Sequence, residues 1–157
     1  MHCRFEFKAP ADLVAWDCNC SICNMKRNTH VIVPAAAFNL LQGAAELSCY
    51  QVGASPLAAQ SRCVAAACNP PRRCRVCCRH PQFGTKQARH LFCRTCGICC
   101  HYQPRSNPNG VAITVHCIDP GTVSSVQARQ FDGQHWEQAY ASTGIAQATA
   151  QAQAPPL

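Results

Sequence analysis

A chain of 157 residues that is 48% hydrophobic is about the size of one domain and can supply its core. Residues 1–5 lack a basic stretch followed by an apolar run, and the longest apolar stretch, residues 31–41, is too short to cross a bilayer. We therefore exclude a secretory signal and a membrane partner, and expect an intracellular protein. Five arginines and no acid lie within residues 52–82, which leaves +2 of the formal charge of +7 elsewhere, so direct nucleic-acid binding is not expected.

Short runs of β-branched and aromatic residues predict a mainly β, antiparallel fold. The first two runs are expected to form a hairpin around a turn at residues 8–12. Further strands are expected on both sides of a central segment that has no periodic pattern. In chain order, the predicted strands are residues 3–7, 13–16, 30–33, 38–41, 47–51, 87–92, 98–102, 111–116 and 122–126.

The chain should divide into one domain and a tail. We expect a domain over residues 1–142, interrupted by a disordered insert at 52–82 that is rich in Ala, Arg, Cys and Pro. Residues 134–141 predict one short C-terminal helix. Residues 143–157 have almost no large apolar side chain, and we expect a disordered tail there.

The densest chemical signal is a Cys-x-Cys-x-x-Cys cluster formed by Cys18, Cys20 and Cys23. Three thiolates within six residues can converge on one ion, and zinc suits thiolate sulfur. Three local ligands without an evident fourth favour a site with an open position, whereas His116 or Cys117 would close the coordination shell. Buried free thiols are the remaining alternative.

Cys93 and Cys96 form a Cys-x-x-Cys-Gly knuckle, which is half of a structural zinc site. Cys74 and Cys77 precede it at a zinc-ribbon spacing and are one candidate for the other half. The other cysteines in these regions have no assigned role and are expected to pack as small apolar side chains: Cys49, Cys63, Cys68, Cys99 and Cys100.

Several segments resemble a known family. Residues 18–23, 30–35, 38–44, 92–97, 104–108 and 116–119 resemble the centromere protein V branch of the glutathione-dependent formaldehyde-activating enzymes, and the resemblance covers residues 4–51 and 83–138 in order. It implies an antiparallel β-tent, also described as Mss4-like, with two zinc sites. Residues 52–82 have no counterpart in it.

The resemblance also implies roles for particular cysteines. The triplet Cys18, Cys20 and Cys23 would bind a reactive zinc ion, and Cys93 and Cys96 would bind a structural one together with an N-terminal Cys-x-Cys pair. Aligning Arg4 with the family places that pair before Met1. One or two zinc ions are therefore expected, and Cys74 and Cys77 remain candidates to replace the pair.

Three functions are consistent with these residues. The first is a carbon–sulfur lyase-like reaction between a small thiol such as glutathione and formaldehyde, with Arg105 as a candidate contact for a glutathione carboxylate or else part of an exposed turn. The second is a non-enzymatic association with centromeric chromatin or microtubules, which by resemblance implies the nucleus or the cytoskeleton. The third is a defective paralogue. No catalytic acid or base can be assigned, and His30 and His116 are expected to be strand residues with partnered nitrogens.

Overall fold

The computed structural model describes residues 3–51 and 88–151. Within these residues the fold is mainly β, as the strand pattern predicted. The nine described strands are β1 (Arg4–Phe7), β2 (Asp12–Cys18), β3 (Thr29–Pro34), β4 (Phe38–Gln42), β5 (Leu47–Gln51), β6 (Arg89–Cys93), β7 (His101–Gln103), β8 (Gly110–Thr114) and β9 (Ser125–Phe131). The described helices are α1 (Ser21–Lys26), α2 (Trp136–Thr143) and α3 (Ala148–Gln151). No helix in these ranges is long and apolar enough to cross a membrane.

The strands form two sheets. Seven of them pair in the order β5-β6-β7-β8-β3-β2-β9, and β1 pairs with β4 in a separate two-stranded sheet. Every pairing is antiparallel except that of β2 with β9, which is parallel over the length of both strands. The antiparallel prediction thus holds for all but this edge of the large sheet.

The predicted hairpin between the first two strands is wrong. β1 pairs with β4, and the N–H of Lys8 donates to the carbonyl of Ala37 at 2.9 Å, so the chain does not fold back at residue 8. β2 lies between β3 and β9 instead, because Leu13, Ala15 and Trp16 are all buried. A strand with buried residues on both faces needs cover that a two-stranded hairpin does not provide.

The C-terminal helices cover the main core. Trp16 and Phe131 meet edge to face there, with ring centroids 6.3 Å apart. The predicted helix at 134–141 is found as α2, which buries Ala139. A disordered tail was expected from residue 143, but the structure differs there. The chain continues into α3 (Ala148–Gln151), and Ile145 and Ala148 are buried in this same core. The remaining members of the core cluster are Ile32, Tyr102 and Ala112.

Three buried histidines make the fold sensitive to acid. Burial lowers the pKa values of His30, His90 and His101 to about 4. An unfolded histidine titrates near 6.5, so the unfolded chain binds more protons as the pH falls from about 6.5 to about 4. The histidines therefore favour folding above this window and lose that contribution within it.

We expect the free energy of unfolding to fall between pH 6.5 and 4, with each histidine contributing up to about 1.4 kcal/mol per pH unit. The ring centroids of His101 and Phe38 lie 4.8 Å apart, so the site already makes aromatic contacts. His101→Phe should lessen the slope by up to about 1.4 kcal/mol per pH unit. Urea unfolding of both proteins at several pH values, each with excess zinc, measures this. An identical slope for the variant would contradict the assignment.

Candidate metal centre

The three cysteines of the triplet are brought together by the junction of a strand and a helix. Cys18 is the last residue of β2, Cys20 is the N-cap of α1 with an extended backbone, and Cys23 lies in the first turn of the helix. Their Sγ atoms all lie within 4.8 Å of one another. Cys18 and Cys20 are half-buried and Cys23 is buried, so the cluster is open on one side and can hold a metal ion.

The electrostatics of the triplet favour one thiolate at Cys20. The thiols of Cys18 and Cys23 hydrogen-bond to its sulfur and, with backbone N–H groups at the start of α1, lower its pKa to about 2. The hydrogen bond with Cys20 raises the pKa of Cys18 to about 11. Hydrogen bonds with Cys18 first and Cys20 second raise the pKa of Cys23 well above its ordinary value. A cation at the centre of the three sulfurs would remove this conflict, because it favours three thiolates at once.

A second loop, residues 131–135, packs directly on the triplet. Asn19 donates through Nδ2 to Oδ1 of Asp132 at 3.0 Å, and its Oδ1 accepts from the N–H of Gln134 at 3.2 Å. A Cβ added to Gly133 would lie 2.5 Å from the Sγ of Cys18 and 2.6 Å from the Cβ of Cys20. Only glycine fits this contact. Asp-Gly is a turn signal in the sequence, but nothing local indicates that this turn contacts the triplet.

A buried polar network lies within the electrostatic reach of the triplet. Tyr102 Oη lies 2.8 Å from Nε2 of His30, whose Nδ1 lies 3.2 Å from the carbonyl oxygen of Asn28. The prediction that His30 is a strand residue with partnered nitrogens is thus confirmed. His90 stacks on Tyr102 at 4.6 Å, and its buried Nδ1 has no partner among the described residues.

The Cys-x-x-Cys-Gly segment forms a turn at the end of β6. The N–H of Cys93 donates to the carbonyl of Ile98, and the N–H of Gly97 donates back to the carbonyl of Cys93. Gly97 has a φ of 74°, which favours glycine. This turn delays β7 until His101, whereas a strand was expected from residue 98.

A third cysteine lies beside this turn. The backbone N–H of Cys96 is the largest influence on Cys93, and together with the N–H of Thr95 and the thiols of Cys96 and Cys3 it lowers the pKa of Cys93 to about 7. Cys3 is buried in one cluster with Cys93 and Cys100. Cys3 was not among the predicted ligands, because it lies 90 positions from Cys93 in the chain. Cys74 and Cys77 lie outside the described residues, as do Cys63, Cys68 and the expected insert at 52–82.

Comparison with known proteins finds one solved structure that supports the fold. The chain is similar to a Rhodobacter sphaeroides protein whose crystal structure was determined in a structural genomics programme. The two are 26% identical, the match covers 80% of this chain and 93% of that one, and the TM-score is 0.50. No family model matches the chain. The likeness therefore extends over most of both chains and concerns their architecture.

Arg105 and His116, which were considered as a substrate contact and a metal ligand, have surroundings that differ from those expected. The Arg105 guanidinium lies 3.5 Å from the centroid of the Trp136 ring and is paired with Glu137, so it fastens the 104–108 loop to α2 and is not a free ligand contact. His116 is exposed in a 3₁₀ turn after β8, which contradicts the expectation of a strand residue with partnered nitrogens. Among the described residues, neither His116 nor Cys117 joins the three sulfurs of the triplet.

Proposed function

We propose that this chain is a zinc protein in which Cys18, Cys20 and Cys23 hold one ion with an open coordination position. We further propose that it catalyses the reversible addition of a small thiol such as glutathione to formaldehyde, as its resemblance to the formaldehyde-activating enzymes implies. The observation that carries this proposal is the convergence of the three sulfurs within 4.8 Å on the half-exposed side of a strand end.

The donor set fits zinc. With zinc–sulfur bonds of about 2.3 Å, neighbouring sulfurs in a tetrahedral site lie roughly 3.8 Å apart. The three Sγ atoms are all within 4.8 Å of one another, so small side-chain rotations suffice to reach that geometry. No fourth Cys, His, Asp or Glu ligand atom belongs to this group within residues 3–51 and 88–151. Three protein ligands are the number that catalytic zinc sites use.

The reaction needs a thiolate and an activated carbonyl. Bound zinc lowers the pKa of a coordinated thiol and polarises an aldehyde oxygen. The substrate sulfur bonds to the carbonyl carbon and the thiol proton passes to the carbonyl oxygen, which gives an S-hydroxymethyl adduct without oxidation or reduction. The chain contributes the partly exposed edge formed by Cys18 and Cys20, while buried Cys23 and the contact with Gly133 hold the sulfurs in place.

Formaldehyde consumption by the reduced, zinc-loaded protein, with and without glutathione, tests the activity. We expect a glutathione-dependent rate that is lost in Cys18→Ser and retained in Cys49→Ser, since Cys49 is exposed on β5 and outside both clusters. Absence of turnover by a wild-type protein that contains the triplet zinc would contradict an enzymatic role. A non-enzymatic association with chromatin or microtubules would then be the next proposal to test.

We also propose that Cys93 and Cys96 hold a second, structural zinc ion with Cys3 as a further ligand. The backbone N–H groups of Thr95 and Cys96 directed at the Cys93 sulfur are typical of a zinc knuckle. Cys3 precedes β1 and brings a thiol to this turn from the side of the smaller sheet.

Cys3→Ser should weaken binding of this second zinc ion by at least about tenfold, because an incomplete ligand set loses both a bond and a negative charge. Chelator competition on the reduced protein, with zinc counted by elemental analysis, measures the change. Cys117→Ser is the matched control, since Cys117 packs against the same cluster. If Cys93→Ser lost one zinc ion while Cys3→Ser bound both with unchanged affinity, Cys3 would be only a packing residue.

A further inference from the structure

A cleft of about 760 Å³ lies beside the metal centre and is separate from its ligands. One wall is the end of α1, with Lys26, Arg27 and Asn28, and the other wall includes Phe92 and Ile98 near the Cys93 turn. This volume is within the range of small-molecule sites, roughly 300–1,000 Å³. Among the described residues that line the cleft, none carries a carboxylate, and His116 adds a further nitrogen group.

The cations of this cleft have no acidic partner in the described structure. Arg4, Arg94 and Arg105 each pair with a carboxylate. The exposed guanidinium of Arg27, in contrast, makes no ion pair or hydrogen bond with any residue in the described ranges, and Lys26 Nζ only approaches the sulfur of Cys99 at 4.0 Å. The cleft therefore presents positive charge without compensation.

The backbone at Arg27 is held in an unfavourable conformation. Its φ of 51° makes it the non-glycine residue with positive φ in the described chain, and it occupies the C-cap of α1, where glycine is preferred. Arginine at such a position costs about 1 kcal/mol relative to glycine. Strained positions of this kind concentrate at functional sites, and here the strain brings a cation to the cleft.

Asn28 orders the chain that follows Arg27 in the same cleft. The residue is 3% exposed, and its side-chain amide lies 2.8 Å from the hydroxyl oxygen of Thr114, which donates to the carbonyl of Cys99 at 2.7 Å. The backbone N–H of Asn28 donates to the carbonyl of Cys23 at 3.0 Å. These bonds attach the two cations of the cleft to a hydrogen-bonded segment of the chain.

We propose that this cleft binds the carboxylate of a small organic molecule. Arg27 and Lys26 neutralise the carboxylate, and Phe92 and Ile98 contact the apolar body of the ligand. The apolar wall favours an organic acid over an inorganic anion. This site requires no metal ligand and does not depend on the proposed reaction.

Nuclear magnetic resonance titration of the ¹⁵N-labelled, reduced, zinc-loaded full chain tests the site, with 3-phenylpropionate as the probe. We expect saturable shifts of the backbone signals of Lys26, Arg27 and Ile98, which line the cleft. The neutral analogue 3-phenylpropionamide should bind at least about tenfold more weakly, as expected for loss of a charge-assisted interaction. Sulfate is the comparison ligand for the apolar wall, because it is an anion that has no apolar body.

Arg27→Gly and Lys26→Gln should each weaken 3-phenylpropionate binding about tenfold. Arg27→Gly removes the cation and suits the positive φ, so the fold should be preserved. The matched control is Arg129→Gln, at an exposed arginine on β9 that does not line the cleft, and it should bind as the wild type does. Equal affinity for the amide, binding of sulfate alone, the absence of shifts at Arg27, or unchanged affinity in both variants would each overturn the proposal.

Discussion

Replacing Cys20 with serine should remove one zinc ion from the reduced protein and weaken what binding remains at the triplet by at least about 100-fold. Cys20 lies at the N-cap position of α1, between the strand that ends at Cys18 and the helix that carries Cys23, and its sulfur is within 4.8 Å of both others. Zinc bound only to the folded chain also stabilises it, so the unfolding midpoint in urea should fall together with the zinc content. Elemental analysis and urea unfolding on the same preparations measure both effects.

Two matched proteins separate metal loss from a general cysteine effect. Cys49→Ser changes an exposed thiol outside both clusters, and should leave zinc content and stability unchanged. Wild-type protein treated with a strong chelator should unfold at the midpoint of Cys20→Ser or below it. A zinc content that stays the same in Cys20→Ser would contradict the metal assignment of the triplet, and the three residues would then be free thiols.

Gly133→Ala should disrupt the metal centre without removing any ligand. The new Cβ would lie 2.5 Å from the Sγ of Cys18 and 2.6 Å from the Cβ of Cys20, so one of the two loops must move. Overpacking of this kind costs about 1–3 kcal/mol of folding free energy. Displacing the ligands should weaken zinc binding about 10- to 100-fold, as loss of a supporting contact does at other metal sites. Chelator competition and urea unfolding measure the two effects.

Gly121→Ala is the control for the backbone effect of replacing a glycine. Gly121 has a φ of 79° and no atom within 4 Å of the position of an added Cβ, so alanine there is strained but does not overlap anything. We expect a stability loss of about 1 kcal/mol and an unchanged zinc affinity. If Gly133→Ala bound zinc as tightly as Gly121→Ala does, the contact between loop 131–135 and the triplet would have no part in holding the metal.

Most strands could be predicted because their signals are local. Pro34 ends β3, and Gly43 follows β4, as expected from the restricted backbone of proline and the freedom of glycine. β9 was predicted only in part, because the expected strand ended at residue 126, whereas β9 continues to Phe131 as an edge strand whose residues 125–130 are exposed. Its parallel pairing with β2 depends on residues more than 100 positions apart, which no local pattern reveals.

For the candidate site too, residues with a local signal were predicted and residues that depend on distant neighbours were not. Cys18, Cys20 and Cys23 were found because a metal cluster within six residues needs only a turn and the start of a helix. Cys3, Gly133 and Arg27 were not assigned a role, since each acquires its significance from a neighbour elsewhere in the chain or from its backbone conformation. Arg105 was considered as a ligand contact, but the packing of α2 against its loop pairs it with Glu137.

The amino-acid sequence by itself determined the β character of this protein, the number and order of its described strands, and the three thiols that can share one metal ion. These depend on backbone preferences and side-chain spacing over a few residues. The tertiary structure alone decided which strands pair, that residues 145–148 enter the core, and that Cys3 lies beside Cys93. It also decided that the cleft at Arg27 has no carboxylate among its described lining residues, because burial and charge compensation arise only when distant segments pack together.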